Sequence, residues 1–294
     1  MYNETNETLN LLYERGSVRA FTDKPVSNEV LKQILLTAKH AASGGNLQPV
    51  SIIVITDKAK KEELAKLPYF KFATKVPVLM LFCLDLYRTK RWAELEHMAY
   101  TAHKSFRHFW IAFQDVMCHM QSVCTAADSV GLGSCIYGTV LECFYELKEL
   151  FNLPNQVMPI NLVSFGYPKQ KPSIKHKLEL DMLCHMNEYE YKSDKDFLNK
   201  IYQKFDKDLE LKQEYLSEIH RVCNNVEGKQ FADEAVSYLK QRGSIPQVCR
   251  YYGYKKYNAD IMANHNLHYT QVLKNFGFDI LEKHDFSGKS APNS

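Results

Sequence analysis

Three short apolar runs constrain the fold of this chain more than any other feature. They are VSIIVITD from Val50, VPVLMLFCLD from Val76 and VMPINLVSFGYP from Val157. Each run is rich in β-branched or aromatic residues and is bounded by proline, glycine or aspartate, which is typical of a buried strand. Helical patterns separate the runs. The sequence therefore predicts an α+β or α/β layered fold rather than a helix bundle.

Amphipathic periodicity marks the shorter helices. Thr5 is expected to cap a first helix that ends at Gly16, and Ser27 to cap a second that stops at the SGGN turn. Charged and amphipathic patterns predict further helices over residues 58–66 and 141–152.

A longer stripe of apolar residues keeps helical period from about Ser105 to Gly131. This stripe predicts a long central helix, and its aromatic side chains are expected to pack in the core. After about Leu183 the composition becomes polar and charged, with weak helical periodicity and no strand candidate. The sequence predicts a boundary near residues 185–195, a mainly helical region beyond it, and a docking segment at NFGFDIL.

Composition restricts the class of protein. The formal charge of +3, from 37 basic and 34 acidic side chains, predicts neither nucleic-acid binding nor an acidic tail. The longest apolar run is far shorter than the ~20 residues that span a bilayer. The polar first residues, MYNETNETLN, lack the pattern of a secretion signal. We expect a soluble cytoplasmic protein whose eight cysteines are mostly buried thiols.

Two arginines and a serine alternate in RGSVRAF, residues 15–21. In an extended segment, residues i, i+2 and i+4 project to one side, so Arg15, Ser17 and Arg19 can converge on one ligand. Guanidinium groups suit phosphate, and a hydroxyl adds a hydrogen bond. A solvated basic turn explains the same residues, and this stretch alone does not separate the two interpretations.

Two glycine-containing turns offer further ligand groups. SGGNLQP, from Ser43, carries Asn46 and Gln48, whose amides donate and accept hydrogen bonds as the edge of a heteroaromatic ring requires. In GLGSCIYG the glycines allow backbone N–H groups to approach a flat ligand near Tyr137 and Gly138. Helix ends that lead into strands explain the glycines equally well, although they do not explain Gln48.

Two lysines and two histidines complete the candidate residues. Lys175 and Lys177 lie two residues apart in GYPKQKPSIKHKLEL, so in an extended segment both point to the same side and can close a phosphate pocket with Arg15. A solvated basic segment is a serious alternative. His265 and His268 have helical spacing, but no third ligand is evident, so no metal site is predicted.

In this order and spacing, the segments resemble the nitroreductase family of FMN-dependent oxidoreductases. The match runs from RGSVRAF through SGGNLQPVSIIVITD and DVMCHMQSVCTAADSVGLGSCIYG to VMPINLVSFGYPKQKP, about the first 180 residues. The resemblance implies an α+β fold of three layers, α/β/α, with a mostly antiparallel sheet around a long central helix. Residues 1–185 would form the FMN-binding domain, and residues 186–294 a mainly helical C-terminal extension.

The resemblance also implies a homodimer with FMN at the subunit interface. Arg15 and Ser17 would hold the phosphate and ribityl chain, assisted by Lys175 and Lys177, while Arg19 would face the pyrimidine side of the flavin. Ser43, Asn46 and Gln48 would reach the flavin from the other subunit. The backbone at Tyr137 and Gly138, the end of GLGSCIYG, would lie near flavin N5.

The implied activity is transfer of hydride from NADH or NADPH, through FMN, to a nitroaromatic, a quinone or a related small acceptor, by a ping-pong mechanism. No catalytic side chain is predicted, because the flavin performs the redox chemistry. No G-x-G-x-x-G fingerprint follows a strand, so the preferred nicotinamide nucleotide stays open. A flavin-binding sensor or partner-binding module without turnover is the alternative, and a specialised family member is a third.

Overall fold

The computed structural model describes residues 6–284, and its centre is a four-stranded sheet. The strands are β1 (Val50–Ile55), β2 (Val78–Asp85), β3 (Gly133–Tyr137) and β4 (Val157–Gly166). Their spatial order is β1-β2-β4-β3, and every pairing is antiparallel. The three apolar runs of the sequence are therefore strands, as predicted, and the short strand after GLG is the fourth.

Strand β2 lies in the middle of the core. All eight of its residues are buried, and it pairs with β1 on one side and with β4 on the other. A strand covered on both faces needs apolar residues at consecutive positions rather than alternate ones, which explains the continuous run VLMLFCL. Asp85, which ends the strand, is the charged exception.

Helices surround the sheet and confirm most of the helical predictions. Those of the first part of the chain are α1 (Glu7–Tyr13), α2 (Asn28–Lys39), α3 (Lys58–Lys66), α4 (Tyr87–Leu95), α5 (Phe106–Ser129) and α6 (Phe144–Leu150). Ser27 caps α2 as predicted, with its side chain accepting a hydrogen bond from the Val30 N–H. Asn6 caps α1, while the predicted cap, Thr5, lies outside the described residues.

Three helices have bounds that differ from the predicted ones, and α2 is the first of them, since it ends at Lys39, before the SGGN turn. Helix α1 ends at Tyr13, before Gly16. Helix α6 is shorter than residues 141–152 because the chain first makes a 3₁₀ turn at Gly138–Glu142, and a separate helix begins at Phe144.

Helix α5 is the long central helix, and Ser105 caps it. One face is buried, at Ala112, Asp115, Val116, His119, Met120, Val123, Cys124 and Ala127. The prediction that its aromatic residues all pack in the core was wrong for Phe106 and Trp110, which stack on each other with half of their surface exposed. The apolar stripe of α5 is therefore wider than the part that the sheet covers.

The described residues divide into two compact units. The first contains the sheet and extends up to Ile174, with the chain from Thr270 onward added to it. The second, Lys175–Tyr269, is helical and contains no strand among its residues. The predicted division into an FMN-binding domain of residues 1–185 and a C-terminal extension of residues 186–294 stays a prediction.

The second unit is built from short helices around a small core of its own. They are α7 (Asp194–Lys204), α8 (Gln213–Glu227), α9 (Lys229–Arg242), α10 (Gln247–Cys249) and α11 (Ala259–Met262), with a π-helical turn at Arg250–Lys255. Leu216, Ile219, Leu239 and Ile245 form the buried cluster.

Helix α12 (Asn266–Asn275) leads the chain back to the first unit. Phe276 and Phe278, which follow it, are fully buried, and their rings meet Phe144 and Phe109 edge to face, at centroid distances of 6.1 and 5.3 Å. The Gln156 N–H donates a 2.7 Å hydrogen bond to the Phe276 carbonyl. The prediction that NFGFDIL docks is confirmed.

The cysteines are less uniformly buried than predicted. Cys83, Cys124, Cys135 and Cys143 are buried, whereas Cys118 and Cys184 are exposed. Over residues 6–284, none of the helices combines the length and the apolar content needed to cross a bilayer.

Candidate functional site

The segment that carries Arg15, Ser17 and Arg19 runs along the free edge of strand β3. The Val18 N–H donates a 2.8 Å hydrogen bond to the Ser134 carbonyl, and Ser17 forms a parallel bridge with Ser134. A side chain at Gly133 would collide with Val18, since an added Cβ would lie only 2.7 Å from the Val18 Cβ. The extended form expected for the motif is therefore present at the edge of the sheet.

Exposure alternates from Ser17 to Arg19, as an extended backbone requires. Val18 is buried, Ser17 and Arg19 on either side of it are exposed, and Arg15 is half-buried. Because alternate residues of an extended chain point to opposite sides, the apolar Val18 enters the core and the polar residues face outward. The structure thus brings the three predicted residues to one edge.

The Arg15 guanidinium lies in a partly buried environment. Its Nε is buried and has no hydrogen-bond partner among the described residues. Burial raises the pKa of the Asp128 carboxyl to about 6, and the positive charge of Arg15 opposes that rise. A buried donor without a partner costs free energy, so it calls for an unseen acceptor. An anionic group such as a phosphate supplies one.

Arg19 and Tyr137 share the next part of the same edge. Burial raises the pKa of the Tyr137 hydroxyl to about 12, with an opposing contribution from the Arg19 charge. The hydroxyl is 3.3 Å from the Ser164 hydroxyl, and the ring stacks on Phe72 with 4.2 Å between centroids. Tyr137 is therefore fixed on its side-chain end, which leaves its backbone as the part available to a ligand.

Gly138 opens the backbone beside Tyr137. A Cβ added at this position would meet nothing within 4 Å. The 3₁₀ turn Gly138–Glu142 begins here, and the Thr139 hydroxyl is buried without a hydrogen-bond partner among the described residues. A flat ligand can approach such a surface closely. Five of the predicted residues, Arg15, Ser17, Arg19, Tyr137 and Gly138, thus lie along one strand edge.

The loop of residues 43–48 lies at the opposite edge of the sheet, because it leads into β1. Strands β2 and β4 separate the two edges, which at about 4.8 Å per strand is a distance of roughly 14 Å. Within one chain, the predicted residues of this loop, Ser43, Asn46 and Gln48, are therefore not brought to β3.

Two of these three side chains are used in hydrogen bonds that hold the loop in place. The Ser43 hydroxyl accepts a 3.3 Å hydrogen bond from the Gln48 N–H, and the Gln48 side-chain amide donates a 3.0 Å bond to the Lys39 carbonyl. Asn46 is exposed, and its side chain makes no hydrogen bond to residues 6–284. Of the predicted loop residues, Asn46 is therefore the one whose side chain is available to a ligand.

Lys175 and Lys177 fall in the second unit, at its beginning. Both are exposed, in a stretch without helix or strand. Their predicted place at a phosphate stays a prediction.

The sequence interpretation missed two residues that shape the candidate site. Asp115, in the buried stripe of α5, accepts hydrogen bonds from the Gly44 N–H, and Arg88, at the start of α4, donates to the Gln48 carbonyl. The signal for Asp115 was present, since a carboxylate within an apolar helical stripe needs a specific partner. Arg88 gave no such signal, because a surface arginine on a short helix is ordinary.

Known proteins are similar to this chain in sequence. A family model described as the nitroreductase family matches residues 12–167. A protein of Pseudomonas sp. (strain G-1) named Cr(VI) reductase is 33% identical over 181 residues, 61% of this chain and 74% of that protein. A protein of Bacillus subtilis named FMN reductase (NAD(P)H) is 28% identical over 238 residues, 80% of this chain and 92% of that protein.

A solved structure extends the likeness to the fold. The hypothetical oxidoreductase YcnD from Bacillus subtilis superimposes with a TM-score of 0.69 at 25% identity, covering 95% of this chain and all of that one. The matched family region contains the opening segment, the 43–48 loop and all four strands. This chain belongs to the nitroreductase family.

Proposed function

We propose that this protein is an FMN-dependent oxidoreductase that takes hydride from NADH or NADPH and passes it to a nitroaromatic, a quinone or a related small acceptor. Membership of the nitroreductase family supports the activity, as does the relative named FMN reductase (NAD(P)H). Within the chain, the observation that carries the proposal is the Arg15 guanidinium at the β3 edge, whose buried Nε has no partner among the described residues.

The residues at the β3 edge fit FMN in three respects. Arg15 offers a forked cation for the phosphate, and Ser17 an exposed hydroxyl for the phosphate or ribityl chain. Arg19 supplies a permanent positive charge near Tyr137 for the pyrimidine side of the ring. The open backbone at Gly138 leaves room for a flat ring system. Lys175 and Lys177 would add charge at the phosphate.

The second half of the pocket is proposed to come from another copy of this chain. The 43–48 loop and strand β3 lie at opposite edges of one sheet, so a single chain presents two half-sites. A homodimer with FMN at the interface would unite them, with Ser43, Asn46 and Gln48 reaching the flavin held by the partner.

Exposed apolar residues on α1 and α5 support a subunit interface that includes these two helices. Leu9 and Leu12 of α1 and Phe106 and Trp110 of α5 are all exposed. An open groove of about 810 Å³ lies among α1, α2 and α5, and apolar atoms form most of its surface. An open groove lined mostly by apolar atoms is typical of a surface that another protein covers.

The chain's own groups have binding and electrostatic tasks. When bound, FMN supplies the two-electron transfer between the nicotinamide and the acceptor in a ping-pong sequence. Arg19 would stabilise negative charge at the pyrimidine side, which would favour the reduced cofactor. Arg15 and Ser17 would hold the phosphate end of the cofactor. No side-chain acid or base is assigned.

The absorption spectrum of the purified protein, followed by rapid mixing with NADPH or NADH under anaerobic conditions, tests this proposal. We expect a yellow protein whose flavin absorption bleaches with at least one nucleotide and returns when a quinone or nitroaromatic is added. A yellow protein that neither nucleotide bleaches would favour the sensor alternative, and a colourless protein that takes up no added FMN would refute the assignment.

A further inference from the structure

The 43–48 loop has a backbone that is costly for its sequence. Gly45, Asn46 and Gln48 all have left-handed conformations, with φ of 60°, 54° and 49°. Glycine adopts this region readily and asparagine at small cost, whereas a residue such as Gln48 costs on the order of 1–3 kcal/mol there. Such strain persists only where surrounding contacts determine the conformation, so the loop must be held from outside.

The first external contact comes from the central helix. Both carboxylate oxygens of Asp115 accept hydrogen bonds from the Gly44 N–H, at 3.0 and 3.1 Å. Asp115 is almost fully buried, and burial raises the pKa of its carboxyl, an effect that the Gly44 bond opposes. A Cβ at Gly44 would lie 2.6 Å from the Ile111 side chain, so the approach of loop to helix needs glycine.

The second external contact comes from the start of α4. Arg88 Nη1 donates a 3.1 Å hydrogen bond to the Gln48 carbonyl, and Nη2 donates to the Val50 carbonyl at 3.2 Å and to the Ser51 hydroxyl at 2.9 Å. Asp85, which is buried, orients this guanidinium through a 3.2 Å ion pair. The forked guanidinium therefore fixes the end of the loop against the first residues of β1.

The internal hydrogen bonds leave Asn46 between these two contacts. The Ser43 hydroxyl is used by the Gln48 N–H, the Gln48 side chain donates to the Lys39 carbonyl at the end of α2, and Leu47 is exposed. Asp115 fixes the loop at Gly44, and Arg88 fixes it at Gln48. The residue held between them has an exposed amide that no described residue engages.

We propose that Asp115 and Arg88 are positioning residues, which hold the 43–48 loop in its left-handed form so that Asn46 reaches the flavin bound by the partner subunit. This inference rests on the proposed function for its ligand. It adds two residues that touch neither the phosphate nor the ring and that act through the backbone of the loop. Neither residue would be found by looking for groups at the cofactor.

The test compares four variants with one control. Arg88→Ala and Asp115→Ala remove the contacts, while Arg88→Lys keeps a charge without the fork and Asp115→Asn keeps an acceptor oxygen for the Gly44 N–H. Arg91→Ala is the matched control, since Arg91 lies on the same helix and its one described ion pair, to Glu94, is long at 3.8 Å. FMN affinity by fluorescence titration, urea unfolding, and amide exchange of residues 43–48 in FMN-free protein are the readouts.

We expect the two alanine variants to weaken FMN binding by up to about tenfold, the effect of losing one hydrogen bond from Asn46 to the flavin. Amide exchange at Gly44 and Gln48 should accelerate in both. Asp115→Asn should recover most of the affinity, Arg88→Lys should recover less, and Arg91→Ala should match the wild type. A lower urea midpoint with unchanged loop exchange and FMN affinity would make the two residues merely structural and overturn the proposal.

The exchange measurement separates this proposal from the proposed function. If the wild type takes up no FMN, the cofactor assignment fails, and exchange in the FMN-free protein decides the positioning role alone. Faster amide exchange of the loop in Arg88→Ala and Asp115→Ala would then still support the role of these two residues in holding the loop. Unchanged exchange in both variants would overturn it.

Discussion

The Val18 N–H donates a 2.8 Å hydrogen bond to the carbonyl oxygen of Ser134, and this bond aligns the cationic opening segment with the edge of strand β3. Val18 enters the core on one side of the segment, while Ser17 and Arg19 stay exposed. One backbone contact therefore places the predicted phosphate and flavin contacts beside Tyr137 and Gly138.

Substituting Gly133 by alanine tests the close approach of Val18. The added methyl group would collide with the branched side chain of Val18, so the segment must move away from β3. Overpacking of this kind costs about 1–3 kcal/mol, and we expect a lower urea midpoint together with weaker FMN binding. Gly138→Ala is the stability control, because its methyl group would meet nothing within 4 Å. Equal midpoints for the two variants would contradict the expected crowding.

Arg15→Ala should weaken FMN binding much more than riboflavin binding. Riboflavin lacks the phosphate, so the variant loses an interaction that only FMN makes. A hydrogen bond to a charged group contributes about 1.5–3 kcal/mol, which is a loss of tenfold or more in affinity. Parallel fluorescence titrations with the two flavins measure the difference. Lys171→Ala is the control, since Lys171 is an exposed cation paired with Glu14.

If both flavins lose affinity equally on substitution of Arg15, the phosphate assignment is wrong. Arg15 would then act on the ring or on the fold.

The sheet and the central helix could be predicted because their patterns are local. The strand runs at β1, β2 and β4 have no competing helical period, and the 24-residue helix α5 keeps one apolar stripe throughout. The extended form of the opening segment was also predictable, since the alternation of Arg15, Ser17 and Arg19 is a property of an extended segment. These features need only neighbouring residues.

The contacts of Asp115 and Arg88 and the exposure of Phe106 and Trp110 depend on residues distant in sequence. Asp115 lies 71 positions from Gly44, and Arg88 lies 40 positions from Gln48, so only tertiary structure reveals either contact. The exposed aromatic residues of α5 look like core residues in the sequence. The periodicity of a helix reports an apolar face but does not report which molecule covers it.

Phe276→Ala tests the docking of the returning chain. The side chain is fully buried against Phe144, and truncation of a buried phenylalanine costs about 3–5 kcal/mol. We expect a large fall in the urea midpoint of the sheet-containing unit. Leu281→Ala is the matched control, since Leu281 lies in the same segment and is mostly exposed. A midpoint for Phe276→Ala as high as that of the control would show that the docking adds little.

The stability of the protein should depend on pH through Asp128. Burial raises the pKa of this carboxyl from 3.8 to about 6, so the folded state holds the proton more tightly than the unfolded state. The stabilisation from protonated Asp128 is full below the unfolded value and is lost as the pH rises through about 6. Asp128→Asn removes the titration, so its unfolding free energy relative to the wild type should rise across that interval.

Urea unfolding of both proteins at a series of pH values from acid to neutral measures this difference. If the unfolding free energies of the two proteins change in parallel over this pH interval, Asp128 is not the source of the pH dependence.

The return of Phe276 and Phe278 to the sheet has a consequence for biosynthesis. Their partners Phe109 and Phe144 leave the ribosome long before them, and residues 175–269 are made in between. At roughly 5–20 residues per second, this interval lasts on the order of ten seconds. During that time Phe109 and Phe144 lack the two rings that pack against them in the folded protein, so their apolar surface is open to chaperones.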